Sequence, residues 1–142
     1  MPSTIQFKKL DHVTLIVADL ARSREFFKEV LGLFELPRPE FDFEGLWFGT
    51  EQPSPGKTVR AEIHLTLQGE LAGEAGWGNR KVKRLSRGHH IALQVEDAHA
   101  AAQWLNSKGV QLDDGPKKRP DGPVQIFLRD PDNHVIELFS IA

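Results

Sequence analysis

The sequence predicts an α+β fold built from two βαβββ modules, whose mixed and curved sheets form a shared cleft. The first observation is an internal repeat, because residues 11–19 (DHVTLIVAD) align without gaps with residues 89–97 (HHIALQVED) at an offset of 78. The second is a shorter repeat, IHL at residues 63–65 against IEL at residues 136–138. Alternating strand patterns and one helical pattern occur in the same order in each half, so the chain reads as a duplicated unit.

The first module is expected over about residues 8–69. In residues 10–17, apolar and polar residues alternate as in a half-buried strand. Asp19 is a good N-cap for a helix over residues 20–31, and Gly32 is a good residue to end it. Residues 33–36 form a short apolar strand, an aromatic-rich stretch over residues 41–48 enters a strand, and residues 59–67 alternate again.

A linker is expected over about residues 70–87, where several glycines precede a run of basic residues. The second module, over about residues 88–141, repeats the first. Its predicted elements are a strand over 88–95, a helix that Asp97 caps and Gly109 ends, a short strand over 110–112, a turn-rich loop over 113–122, and two final strands over 124–128 and 135–140.

Composition supports a single soluble domain over residues 1–142. Hydrophobic residues make up 39% of the chain and charged residues 27%, which is normal for a globular protein. The net charge of −2 gives no reason to expect nucleic acid or an acidic membrane as a partner. There is no cysteine or tyrosine, so neither thiolate ligands nor a phenol acid can operate. We find no signal-peptide pattern or membrane span and expect a cytoplasmic protein.

Strand periodicity points to a metal site. The apolar face of each sheet must lie under its helix, so the alternation sends His12, His64, His90 and Glu137 to the opposite, uncovered face. Two such faces around one cleft would gather three imidazoles and a carboxylate. That donor set suits a divalent ion such as zinc, nickel, cobalt or ferrous iron, with open positions for water or substrate.

Several neighbours of these residues have competing interpretations. His89 is the rival of His90, but its side chain points the other way and it breaks register with His12. Glu62 shares a face with His64, so it is either a ligand, an acceptor for a histidine N–H, or a wet residue at the strand edge. His99 and His134, at a helix start and in a turn, are expected to be solvated.

The same residues resemble a known group, the vicinal oxygen chelate superfamily, which includes glyoxalase I, bleomycin-resistance proteins and extradiol dioxygenases. The similarity rests on DHVTLIVADL, on VLGL at the helix end, on GHHIALQVED and on DPDNHVIEL, and it covers nearly the whole chain. It implies paired βαβββ modules and one divalent metal ion (Zn, Ni, Co, Mn or Fe). Carried over by position, the family's metal ligands fall on His12, His64, His90 and Glu137. A homodimer is expected, since dimers are common in the family.

Within that superfamily the chain looks most like the glyoxalase-I-like members. We therefore expect a lyase or isomerase that acts on a small substrate with vicinal oxygens through a metal-stabilised enediolate, with Glu137 as the base. Two departures from glyoxalase I concern the reaction: His64 stands where that enzyme typically has Glu, and Ile16 stands where it has an arginine for glutathione. The alternatives are an iron-dependent ring-cleaving dioxygenase and a bleomycin-resistance-like protein that binds a small molecule.

Overall fold

A computed structural model describes residues 4–57, 59–77 and 87–141 of the chain. The elements are, in chain order, β1 His12–Val17, α1 Leu20–Arg24, a π-helical segment Glu25–Val30, β2 Phe34–Leu36, β3 Gly45–Gly49, β4 Glu62–Leu67, β5 Ile91–Gln94, α2 Ala98–Ser107, β6 Asp114–Lys118, β7 Val124–Arg129 and β8 Val135–Ser140.

Two four-stranded mixed sheets confirm the predicted α+β class. The first has the order β1-β4-β3-β2 and the second the order β5-β8-β7-β6, so the same topology occurs twice. In each sheet the first and last strands of the module pair in parallel, while the remaining strands pair antiparallel. A connection that carries a helix is what a parallel pair of strands requires.

The first helix begins where the sequence predicts, since Asp19 accepts a hydrogen bond from the backbone N–H of Arg22. It does not remain α-helical, however. The segment Glu25–Val30 is a π-helix, in which the N–H of Leu31 donates to the carbonyl of Phe26 at 2.8 Å. Both Phe26 and its neighbour Phe27 are buried in the core. A wider helical turn suits two consecutive buried rings, which periodicity alone does not reveal.

The predicted strand over residues 110–112 is wrong, as is the predicted loop over residues 113–122. The strand β6 lies instead at Asp114–Lys118, inside that expected loop. It is the edge strand of its sheet and its pairing register with β7 shifts between Asp114 and Lys117. An edge strand with a bulge tolerates Pro116, because the missing N–H is not needed for a second neighbour. The Gly-Pro pattern is therefore why this strand was predicted as a loop.

One continuous apolar core contains buried side chains from both halves of the chain, among them Leu15, Leu65, Ile126 and Leu138. Polar contacts also join the halves. The indole N–H of Trp104 donates to the carbonyl of Val30 at 2.7 Å, at the end of the first helix. The carboxylate of Asp132 accepts from the Arg22 guanidinium and from the backbone N–H of Ala18 at 3.0 and 3.3 Å.

Residues 70–77 and 87 of the predicted linker fall within the described residues, and Gly73 forms an isolated bridge with Gly69 just before the linker. Most of the basic run lies in residues 78–86, outside them. In the described parts of the chain, no helix combines the length and the apolar character that crossing a membrane would require.

Candidate functional site

His12 and His64 form the first pair of predicted ligands. They lie on the adjacent parallel strands β1 and β4, where Thr14 pairs with His64 and His12 with Glu62. The two imidazole rings stack with centroids 3.9 Å apart and an interplanar angle of 16°. On the other side, the indole of Trp47 stacks on His64 at 4.1 Å and 7°. The pair is thus part of a three-ring stack.

Each imidazole of this pair has one ring nitrogen held by a carboxylate. The Nδ1 of His12 lies 2.8 Å from Asp11 Oδ2, and the Nε2 of His64 lies 2.8 Å from Glu62 Oε1. Because a carboxylate can only accept, these nitrogens donate, and the opposite nitrogen of each neutral ring keeps a lone pair. The hydrogen bond from His12 holds the pKa of Asp11 below its usual range. Glu62 therefore acts as an acceptor for a histidine N–H, one of the three roles expected for it.

His90 and Glu137 form the second pair. His90 immediately precedes β5, while Glu137 lies in the middle of β8, opposite Ala92 and Phe127. The Nδ1 of His90 lies 3.0 Å from the carbonyl of Gly88 and donates to it, so its Nε2 carries the lone pair in the neutral ring. That nitrogen lies 3.3 Å from Oε1 of Glu137. Two acceptors face each other there, and a cation between them, either a proton or a metal ion, would relieve the repulsion.

Glu137 is buried, and its second oxygen, Oε2, has no hydrogen-bond partner in the described chain. This oxygen forms an ion pair with Arg119, whose Nη1 lies 3.6 Å from Oε2. Arg119 also binds Asp121, which raises the pKa of the guanidinium and lowers that of the carboxyl. Arg119 follows a strand whose pattern is hidden by glycine and proline, so its local sequence does not single it out.

The two pairs do not form a four-ligand centre within the described residues, where no group of three or more His, Asp or Glu side chains converges closely enough to hold a metal ion. His12 and His64 line a cavity of about 430 Å³ together with Arg38 and Trp47. The described residues that line this cavity all come from residues 11–66, and none of them belongs to the second module.

Next to it lies a larger cavity of about 610 Å³ on the same sheet. It is lined by apolar residues, including Ile16 and Leu71, and by the acidic Asp42, Glu44 and Glu70. Ile16 is the residue at which the resemblance to glyoxalase I would place a glutathione-binding arginine. This cavity has the size of a small-molecule site, but its charged lining is acidic rather than basic.

The other histidines differ in their surroundings. His89 and His99 are exposed, as expected for His99. The expectation for His134 was wrong: its side chain is fully buried, its Nδ1 lies 2.7 Å from Asp130 Oδ2, and the edge of Trp77 packs against it. Because Asp130 also accepts from the backbone N–H of His134, the pair closes the turn between β7 and β8. The position of His134 in a turn therefore did not predict its burial.

The separation within the second pair fits a shared cation. Two nitrogen or oxygen ligands on a tetrahedral zinc ion lie about 3.3 Å apart, given bonds of about 2.0 to 2.1 Å. The Nε2 of His90 and Oε1 of Glu137 are 3.3 Å apart. The imidazoles of the first pair are stacked, with centroids 3.9 Å apart and planes 16° from parallel, so at least one ring would have to turn before both lone pairs could point at one ion. In addition, all three histidines have one nitrogen fixed by an acceptor, which is the usual arrangement for a metal-bound imidazole.

Comparison with known proteins agrees with the fold. The pattern that defines the Glyoxalase/Bleomycin resistance protein/Dioxygenase superfamily matches residues 9–138. A lactoylglutathione lyase from Haemophilus influenzae is 33% identical over 138 residues, covering 91% of this chain and 90% of the relative. A 2-epi-5-epi-valiolone epimerase from Actinomyces sp is 29% identical, covering 92% and 78%.

Among solved structures, a glyoxalase family protein from Bacillus anthracis superposes with a TM-score of 0.67 at 26% identity, covering 99% of this chain and 98% of its own. The names of the relatives are those of a lyase and an epimerase, and they support an enzyme of the lyase or isomerase kind. On the match over residues 9–138, the chain belongs to the glyoxalase/bleomycin resistance protein/dioxygenase superfamily.

Proposed function

We propose that the protein is a metal-dependent, glyoxalase-like lyase or isomerase for a small substrate with two neighbouring oxygen atoms. A single divalent ion would be held by His12, His64, His90 and Glu137. The observation that carries the proposal is the state of the three imidazoles: each has one N–H fixed by an acceptor and one lone pair left for a ligand.

When bound, the ion would supply Lewis-acid stabilisation for negative charge that develops on a substrate oxygen. Side chains of the protein would orient the metal ligands and accept the proton. Asp11 and Glu62 orient His12 and His64, and Trp47 covers one face of His64. Glu137 would accept a proton from a substrate carbon at Oε2, once a shift of the side chain brings this buried oxygen away from Arg119 and to the substrate.

We further propose that a homodimer completes the site, with one pair of ligands from each copy. No described residue from the second module of the same chain lines the cavity beside His12 and His64. Apolar side chains near the N-terminus are also exposed, namely Ile5, Phe7 and Leu10, at 76%, 86% and 80%. Exposed apolar residues on a short segment are suited to burial against a second copy.

Mixing two inactive variants tests both parts of this proposal. His12→Ala/His64→Ala lacks the first pair and Glu137→Gln lacks a member of the second. Neither should bind nickel tightly alone. After co-expression, a mixed dimer would combine one intact pair from each copy, so about one nickel ion per mixed dimer should bind and turnover should reappear. Lack of recovery, with wild-type nickel binding intact, would show that one chain supplies all four ligands.

The substrate class is tested on the metal-loaded wild type with a panel of small compounds that includes the glutathione hemithioacetal of methylglyoxal and 2-hydroxycarbonyl compounds. Isomerisation or lyase turnover that EDTA abolishes and nickel or zinc restores is the expected result. Turnover that survives complete metal removal contradicts the proposal. Oxygen consumption with a catechol and iron would instead indicate a dioxygenase.

A second candidate function is the binding of an apolar small molecule without catalysis. The apolar part of the cavity of about 610 Å³ favours it, since its volume suits a drug-sized compound. Under this alternative, tight ligand binding would be unchanged when His12, His64, His90 and Glu137 are replaced together.

A further inference from the structure

Arg38 lies beside the first pair of candidate ligands. It lines the same cavity of about 430 Å³ as His12 and His64. Its guanidinium lies over Gly45 on β3, where its Nη2 is 3.0 Å from the position that a Cβ would take. Gly45 and Trp47 face the same side of that strand, and Trp47 stacks on His64. Two residues along a strand span roughly 7 Å. The gap between the guanidinium and the imidazoles is therefore about the length of a small molecule.

The guanidinium is held in place by its neighbours. Its Nη2 donates to the carbonyl of Phe43 at 2.9 Å. Its central carbon lies 4.9 Å from the ring centroids of both Phe41 and Phe43, which stack on each other. A planar cation fixed by ring faces and a carbonyl loses little conformational freedom when it binds a ligand. Arg38 is therefore oriented before any ligand arrives.

Arg38 differs from most other arginines in its pairing. Within the described residues no carboxylate forms an ion pair with it, and its buried Nε has no hydrogen-bond partner. In the cavity of about 430 Å³, the carboxylates of Asp11 and Glu62 bind His12 and His64 instead. Arg38 also lines a cavity of about 1040 Å³, in which Glu35 pairs with Arg24 rather than with Arg38. By contrast, five other arginines each pair with a carboxylate, and these are Arg22, Arg24, Arg60, Arg119 and Arg129.

We propose that Arg38 determines substrate specificity by binding an oxyanion, a carboxylate or a phosphate, at the end of the substrate remote from the reacting oxygens. This inference rests on the proposed function, because it places the two oxygens of the substrate at the histidine pair. The substrate is then a small anion whose charged group lies several bonds from its pair of oxygens. The acidic residues Asp42 and Glu44 line the neighbouring cavity and do not pair with Arg38.

Four related probes test the inference on the full-length protein. All are 1-phenylethane-1,2-diols, and their para substituents are a carboxylate, a phosphonate, a neutral carboxamide and an aminomethyl group. Binding is measured by ligand-observed NMR, first in EDTA-dialysed protein and then with nickel. The wild type should bind one of the two anions about tenfold more tightly than the carboxamide, as expected for a charge-assisted hydrogen bond. The better anion identifies the oxyanion class.

Arg38→Gln should remove this preference and leave the affinity for the carboxamide unchanged, while Arg38→Lys should restore part of it. The matched control is Arg60→Gln, which removes a positive charge from an exposed side chain paired with Glu51 and should keep the preference. An equal loss for all probes in Arg38→Gln would indicate a structural role and overturn the inference. So would a wild type that binds the probes equally, binds none of them, or prefers the aminomethyl compound.

Nickel binding, measured in the same samples, separates the two proposals. A protein that binds nickel but shows no anion preference loses only the role of Arg38. A protein with the anion preference in the EDTA-dialysed state and no nickel binding keeps the anion site and loses the metal proposal.

Discussion

The two halves of the molecule have the same topology but hold their candidate ligands in different ways. In the first half, His12 is half-exposed, and both histidines are oriented by carboxylates beside an open cavity. In the second half, Glu137 is buried and faces a histidine lone pair at 3.3 Å. The first pair thus consists of two oriented imidazoles beside an open cavity. The second pair contains a buried carboxylate. A duplicated fold thus provides two pairs of different character for the proposed centre.

The largest expected effect comes from removing the charge in the buried pair. Glu137→Gln keeps the shape of the side chain but loses a charged ligand and the proton acceptor. Nickel affinity should fall by more than the roughly 10- to 100-fold that loss of an outer partner costs, and turnover should disappear. Isothermal titration and circular dichroism would measure affinity and fold. Full activity in this variant would remove Glu137 from the mechanism.

Replacing the first pair one residue at a time separates binding from packing. His12→Ala and His64→Ala should each weaken nickel binding by at least about 100-fold. Only His64→Ala should also lower the free energy of unfolding, by about 1 kcal/mol, because His64 is buried against Trp47. His99→Ala, on the exposed helix start, is the control. Equal loss of stability in both histidine variants would contradict the difference in burial.

Replacing the acceptors that orient the first pair should have a smaller effect on nickel affinity. Glu62→Gln is expected to weaken nickel binding about tenfold, and Asp11→Asn less than that, because the Asp11 side chain is more exposed, at 58% against 19%. The readout is nickel affinity at fixed pH in the two variants. A larger effect for Asp11→Asn would reverse this order and place the critical acceptor at the exposed edge.

The smallest effect is expected from weakening the polar contacts between the two halves, and it is an effect on stability alone. Asp132→Asn should lower the free energy of unfolding by about 1 to 2 kcal/mol, since the nearly buried carboxylate accepts from Arg22 and from the N–H of Ala18. Arg22→Gln should cost less, because that side chain is half-exposed. Urea unfolding measures both. Unchanged stability in Asp132→Asn would mean that the apolar core alone holds the halves together.

The sequence predicted most of the fold because the repeated alternation is strong in the paired strands. It also predicted that His12, His64, His90 and Glu137 would meet in one cleft, since strand alternation fixes the side on which each residue lies. The structure brings His12 beside His64 and His90 beside Glu137, but within the described residues it does not bring the two pairs together. It did not predict the strand Asp114–Lys118, where a bulge and Pro116 hide the pattern.

Contacts between segments that are far apart in the sequence could not be predicted either. The stacking of Trp47 on His64 depends on strand register, and the burial of His134 depends on packing by Trp77 from another segment. Arg38 lies in a loop without periodicity, so nothing in its local sequence places it beside the histidines. These features need three-dimensional neighbours that a single sequence does not specify.

Whether both pairs bind the same ion can be decided by X-ray absorption spectroscopy of the zinc-loaded protein. If they do, the zinc should have about four nitrogen or oxygen ligands near 2.0 to 2.1 Å with the scattering of three imidazoles, falling to two imidazoles in His64→Ala. A wild-type spectrum with two imidazoles, unchanged when either His90 or Glu137 is replaced, would contradict a shared ion.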